Sequence, residues 1–199
     1  MPLTPRARRI ALPLAALLAG LVALGLTAFV LLPAPHSGRP TGTAAVGGPF
    51  TLVDQNGRTV TERDVRGAPY LVLFGFTHCP DVCPTKLFEI SEVLRASGEG
   101  ARLRALFITV DPERDTPEVL KGYLASFDGR ILGLTGTPEA VQAAAKAYRA
   151  YARRVPLESG DYTMDHTALV YHMDAAGRFV GAVNLARPPA EVAAALLRS

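Results

Sequence analysis

The feature that most constrains the fold is the eight-residue run Pro69 to Phe76 (PYLVLFGF), which carries no charge and leads almost directly into Cys79-Pro-Asp-Val-Cys83. A strand with one wet face alternates apolar and polar residues. A continuous apolar run of this length instead reads as a strand buried on both faces. Leu103 to Val110 (LRALFITV), apolar but for Arg104 and Thr109, reads as a second buried strand, and Ile131 to Leu134 as a short third. Between them lie helix starts. Pro84 opens a helix to about Ser97, and Thr116-Pro117-Glu118 and Thr137-Pro138-Glu139 each place a capping threonine before a proline at the first helical position. The second of these starts an Ala-rich helix to about Ala150. Phe50 to Asp54 and Thr59 to Thr61 flank an Asn56-Gly57 turn and predict a hairpin. Ala168 to Met173 and Arg178 to Val183 predict a closing hairpin, and Pro188 to Arg198 a last helix. Helices alternating with buried strands and ending in a hairpin predict an α/β fold with a mixed central sheet flanked by helices.

Ahead of this domain, Ile10 to Leu32 is a stretch of 23 residues without a charge. A helix of that length spans the ~30 Å hydrocarbon core of a bilayer. Arg6, Arg8 and Arg9 precede it, and basic residues stay on the cytoplasmic side, so the rest of the chain is expected outside the cytoplasm. A cleaved signal peptide has a shorter apolar region followed by a small-residue cleavage site, which this stretch lacks. The expected organisation is a basic cytoplasmic segment over residues 1–9, a single transmembrane anchor over 10–32, a Pro/Gly-rich tether over 33–48 and a folded domain over 49–199. The formal charge of +3 belongs to the tail. Four of the 21 basic residues and no acidic residue precede position 44, leaving 17 basic against 18 acidic residues in the remainder. A near-neutral domain excludes a nucleic-acid-binding surface of the usual basic kind.

The two cysteines, Cys79 and Cys83, are the only ones in the chain and stand where a buried strand gives way to a helix. Free N–H groups and the helix dipole favour a thiolate there, so both thiols are expected to have lowered pKa values. A helical spacing of four places both sulfurs on one face. Two neighbouring thiolates suit a soft ion such as Cu(I), whereas a structural zinc site calls for four ligands. In an oxidising compartment the same pair can instead form a structural disulfide, although its placement at a strand end favours a functional pair. Of the histidines, His36 falls in the tether, His78 beside the first cysteine, His172 inside a strand, and His166 at a loop-to-strand entrance after Asp161-Tyr-Thr-Met-Asp165. His166 is a candidate ligand with Asp165 as a candidate second partner holding its ring. Met164 reads as a core residue. The acidic stretch Asp111-Pro-Glu-Arg-Asp115 reads either as a solvated, helix-capping loop or as functional.

Three segments, Phe74-Gly-Phe-Thr-His-Cys-Pro-Asp-Val-Cys-Pro84, Val110-Asp-Pro-Glu-Arg-Asp-Thr-Pro117 and Tyr162-Thr-Met-Asp-His-Thr-Ala168, together resemble the signature blocks of the SCO/SenC family, in the family's order and spacing. The resemblance runs from about Pro49 to Val180. It implies a thioredoxin-like fold tethered at the outer side of the inner membrane, in the periplasm or its equivalent. It further implies one copper ion, Cu(I) or Cu(II), held by Cys79, Cys83 and His166, with Asp81 linked to copper handling and Asp111 and Asp115 in the family's acidic loop. The implied role is a metallochaperone for the CuA centre of cytochrome c oxidase subunit II, served by a copper donor and a periplasmic thiol reductant. His172 stands where the family has an aliphatic residue, which suggests an exposed strand face. The residues leave other functions open: a thiol–disulfide oxidoreductase using Cys79 and Cys83, a copper or redox sensor, or a peroxidase.

Overall fold

The computed structural model describes residues 46–198. The expected basic segment, anchor and most of the tether lie outside the described residues, as does His36. No helix among the described residues is long and apolar enough to cross a membrane.

Nine strands and four helices follow in the order β1 (Thr51–Asp54), β2 (Thr59–Thr61), β3 (Tyr70–Gly75), α1 (Val82–Ala96), β4 (Arg104–Thr109), α2 (Pro117–Leu124), β5 (Ile131–Thr135), α3 (Pro138–Ala147), β6 (Ala152–Pro156), β7 (Tyr162–His166), β8 (Val170–Met173), β9 (Phe179–Ala182) and α4 (Pro189–Leu196). Seven strands form one mixed sheet in the order β2-β1-β5-β4-β3-β8-β9. The central pairs β3/β4 and β4/β5 are parallel, and β1/β2, β1/β5, β3/β8 and β8/β9 are antiparallel. All six residues of β3 are buried. Successive strand residues point to opposite faces, so both faces of the sheet are covered at its centre, as the apolar run requires.

The helix starts behave as their sequences dictate. Thr116 accepts from the Val119 N–H at 3.3 Å and Thr137 from the Ala140 N–H at 3.2 Å, each with proline next in the chain. The helix after the cysteine motif differs from expectation. It begins at Val82 rather than Pro84, with Asp81 at the N-cap position making no side-chain cap bond. Pro84 still falls in the first turn, where a missing N–H leaves no bond unmade. The chain also joins the domain earlier than Pro49, because Val46 packs on the core and the Gly47 N–H donates to the Ala147 carbonyl at 2.9 Å.

The main element the sequence reading missed is the two-stranded β6/β7 hairpin, a separate sheet that pairs Ala152 with His166 and Pro156 with Tyr162. His166 therefore ends a strand of its own hairpin instead of entering the last one. His172 also departs from expectation. It lies buried in β8 opposite Leu71, and burial pushes its pKa below the ordinary value despite the opposing charge of Asp174. All four residues of β8 are buried, so this is no exposed face.

The β1–β2 turn is closed by Asp54, whose buried carboxylate accepts from the N–H groups of Asn56 and Arg58 and from Arg58 Nε at 2.8–2.9 Å. Desolvation pushes its pKa up, but these bonds and the Arg58 charge outweigh it and hold the carboxyl below its ordinary value. A depressed folded-state value means that the ion stabilises the fold above the unfolded pKa of ~3.9, and that this contribution fades as pH falls through the lower folded value. Asp54→Asn should cost about 1.5–3 kcal/mol at pH 7, with the gap to the parent protein closing on acidification. Urea denaturation across pH 7 to 2 measures this, and a gap independent of pH would refute it. Gly75 offers a packing test. A Cβ there would meet the Phe107 ring at 2.6 Å and Cys83 Sγ at 2.8 Å. Gly75→Ala should therefore destabilise by about 1–3 kcal/mol in the same assay, and a neutral result would contradict the packing described.

Candidate metal centre

The end of β3 delivers the chain to the site. Phe76 is buried, and Thr77 to Pro80 then turn into α1, which carries Cys83 in its first turn. Cys83 is 1% exposed, whereas Cys79 is half-buried and reachable. The Cys83 N–H donates to Cys79 Sγ at 3.3 Å, so one free amide of the helix start is aimed at that sulfur. The expectation of two lowered thiol pKa values fails at Cys83. Burial pushes its thiol up, and although a backbone bond at Phe76 opposes this, the neighbouring Cys79 reinforces it. The helix end is present, but Cys83 has been drawn beneath it into the core.

His166 completes the group. Its Nε2 lies 3.6 Å from Cys83 Sγ, and the ligand atoms of Cys79, Cys83 and His166 all lie within 4.8 Å of one another. A metal ion bound between them would be held by these two sulfurs and this ring nitrogen. The His166 ring stands edge-on to Phe76, with centroids 5.6 Å apart and planes at 90°. Its other nitrogen, Nδ1, lies 3.1 Å from the Thr167 carbonyl oxygen. That bond makes Nδ1 the donor and leaves Nε2, the atom facing the sulfurs, with its lone pair free for a metal.

Asp165 does not hold this ring. Strand alternation turns it to the opposite face of β7, where it is exposed and lies 3.7 Å from Arg153. A backbone carbonyl fills the role expected of it. Asp81 is exposed at the head of α1, and His78 is exposed, with Nδ1 3.1 Å from Thr77 Oγ1. Met164 shares the His166 face of β7 and packs against the core.

The acidic stretch is no solvated loop, since Asp111 and Asp115 are both buried. Asp115 accepts from Thr77 N at 3.0 Å, from Thr77 Oγ1 at 2.6 Å and from Thr109 Oγ1 at 2.6 Å. It thereby pins the segment leading into Cys79 to the end of β4. Asp111 accepts from Tyr162 OH at 2.9 Å and from Arg114 Nε, and Arg114 Nη1 donates to the Tyr162 carbonyl at 3.0 Å. This second set fastens the hairpin that carries His166. Neither set is visible in the sequence, because Thr77, Thr109 and Tyr162 lie in other segments than the aspartates they bond, and the β6/β7 hairpin that brings Tyr162 in was not expected. The Ser159-Gly160 turn signal between Arg153-Arg154-Val155 and Tyr162-Thr163-Met164 was the available clue to the hairpin; Gly160 has φ +86°.

Comparison with known proteins agrees with this arrangement. Residues 38–199 match the SCO1/SenC family. The structure of Bradyrhizobium japonicum ScoI with copper bound is 59% identical and superposes with a TM-score of 0.75, covering 77% of this chain and 99% of that one. The protein SenC of Rhodobacter capsulatus is 41% identical over 172 residues, covering 81% of this chain and 77% of its own length. The mitochondrial SCO1 homolog 1 of Arabidopsis thaliana is 39% identical over 149 residues, 74% of this chain but 45% of that protein. The chain thus spans about half the length of the mitochondrial relatives it matches. The α/β architecture is the thioredoxin-like one of the Sco structures. With fold, thiol pair and distant histidine all in place, this chain belongs to the SCO1/SenC family.

Proposed function

We propose that the protein is a copper metallochaperone that carries one copper ion on Cys79, Cys83 and His166. The observation that carries this reading is the convergence of two free thiols and a correctly oriented imidazole from segments 83 residues apart. Two sulfurs favour Cu(I), and the imidazole extends the site to Cu(II). Three ligands leave copper open to attack on the side of the half-exposed Cys79, which suits a cargo that must be handed on by ligand exchange. The copper-bound form of a 59% identical relative supports the choice of metal.

The acceptor in this reading is the CuA site of cytochrome c oxidase subunit II, with a copper donor upstream and a thiol reductant that keeps the pair in its dithiol form. Residues 10–32 anchor the chain, and the domain works on the outer side of the membrane. One observation favours a second reading, thiol–disulfide exchange on the acceptor's cysteines. Cys79 is reachable and Cys83 is buried behind it, the arrangement of an attacking and a resolving thiol.

Copper stoichiometry on the reduced and the oxidised full-length protein, beside His166→Ala, tests the proposal. The reduced protein should bind one copper and the disulfide form none, because oxidation removes both thiolate ligands. His166→Ala should lose Cu(II) altogether, retain weaker Cu(I) on the sulfurs, and leave disulfide exchange largely intact. A reduced protein without tight copper would overturn the metallochaperone reading and leave thiol exchange as the function.

A further inference from the structure

We propose that Arg114 is the positioning residue that sets His166 against the two cysteines, and that it does so as the centre of a stacked column running Arg154–Tyr162–Arg114–Phe76–His166. The proposal rests on the copper-site reading above. Tyr162 has the Arg154 guanidinium 3.5 Å and the Arg114 guanidinium 3.7 Å from its ring centroid. Two cations that close to one centroid occupy opposite faces. Arg114 also lies 6.0 Å from the Phe76 centroid, and Phe76 meets the His166 ring edge-on. The column therefore starts at a half-exposed arginine of β6 and ends at the candidate ligand.

The hydrogen bonds give the column its direction. Arg114 Nε bonds Asp111 in its own loop, while Nη1 bonds the Tyr162 carbonyl and reaches Asp161 Oδ1 at 3.4 Å, both on the hairpin. One planar fork thus joins the loop to the strand that ends in His166. Arg114 Nη2 is buried with no hydrogen-bond partner among the described residues. The bonds of the other two nitrogens and the Tyr162 ring hold this guanidinium, which is 17% exposed. Next in the chain, Asp115 holds the Thr77 segment on the cysteine side. Two consecutive residues thus grip the two halves of the site, and the distance between Cys83 and His166 is set by how that pair sits.

A planar, forked and stacking cation is needed here, and lysine supplies only the charge. Because two sulfurs suffice for Cu(I) but Cu(II) needs the imidazole, the loss should divide by oxidation state. Arg114→Gln and Arg114→Lys should each weaken Cu(II) by about 10–100-fold, with a changed Cu(II)–thiolate absorption and EPR spectrum, while Cu(I) affinity moves only a few-fold. In the metal-free protein, the His166 ring resonances should shift and broaden in both variants. The half-exposed Arg154→Gln, which risks the fold least, should shift them in the same sense but less. If Arg114→Lys keeps the parental Cu(II) affinity, spectrum and His166 resonances, or if Cu(I) and Cu(II) weaken equally, the proposal is overturned. A parent protein that binds no copper would sink the metallochaperone reading alone, since the metal-free resonances still decide whether Arg114 places His166.

Discussion

The buried carboxylate of Asp115 is the constraint on which the rest of the site depends. A carboxylate without exposed surface is costly to desolvate unless its lone pairs are filled, and here Thr77 N, Thr77 Oγ1 and Thr109 Oγ1 fill them. The three donors come from the segment after β3 and from the end of β4. These parallel neighbours would otherwise diverge as the sheet twists and their chains leave in different directions. Holding them together fixes where Thr77 ends and so where Cys79 begins. The Val110 N–H to Gly75 carbonyl bond, one residue beyond the ladder, works to the same end.

Much of this was legible in the sequence, for identifiable reasons. PYLVLFGF reads as a doubly covered strand, and the Thr-Pro-Glu signals place the starts of two helices, although the second ends at Ala147 rather than near Ala150. Cys79 and Cys83 could be located because a strand end and a helix start bracket them. His166 could be joined to them only through the family resemblance, since no local rule brings a residue across 83 positions. What stayed hidden was tertiary. The Asp111–Asp115 stretch has a surface composition and a buried fate, because its partners Thr77, Thr109 and Tyr162 lie in other segments. The role expected of Asp165 failed for a simpler reason: adjacent residues of a strand face opposite ways, so the neighbour of a ligand is the residue least able to touch its ring.

The two cysteines also differ more than a motif suggests. Sequence treats them as a pair, but Cys83 packs under Gly75 and Phe107 as part of the core, while Cys79 stays within reach of solvent. Burial that raises the Cys83 thiol pKa guards its sulfur from solution oxidants, which attack thiolates. Cys79, with the amide of Cys83 aimed at it, is the sulfur a visitor meets first.

The distance along the chain between the sulfurs and the imidazole has a consequence in time. Cys79 and Cys83 are made early, and a chain still being synthesised carries both thiols well before position 166 exists. Even a finished chain lacks the third donor until the β6/β7 hairpin has paired and docked on the Asp111–Arg114 turn. In the copper-site reading proposed above, an immature copy would therefore present two thiols, and the three-donor geometry would follow only once the hairpin has docked.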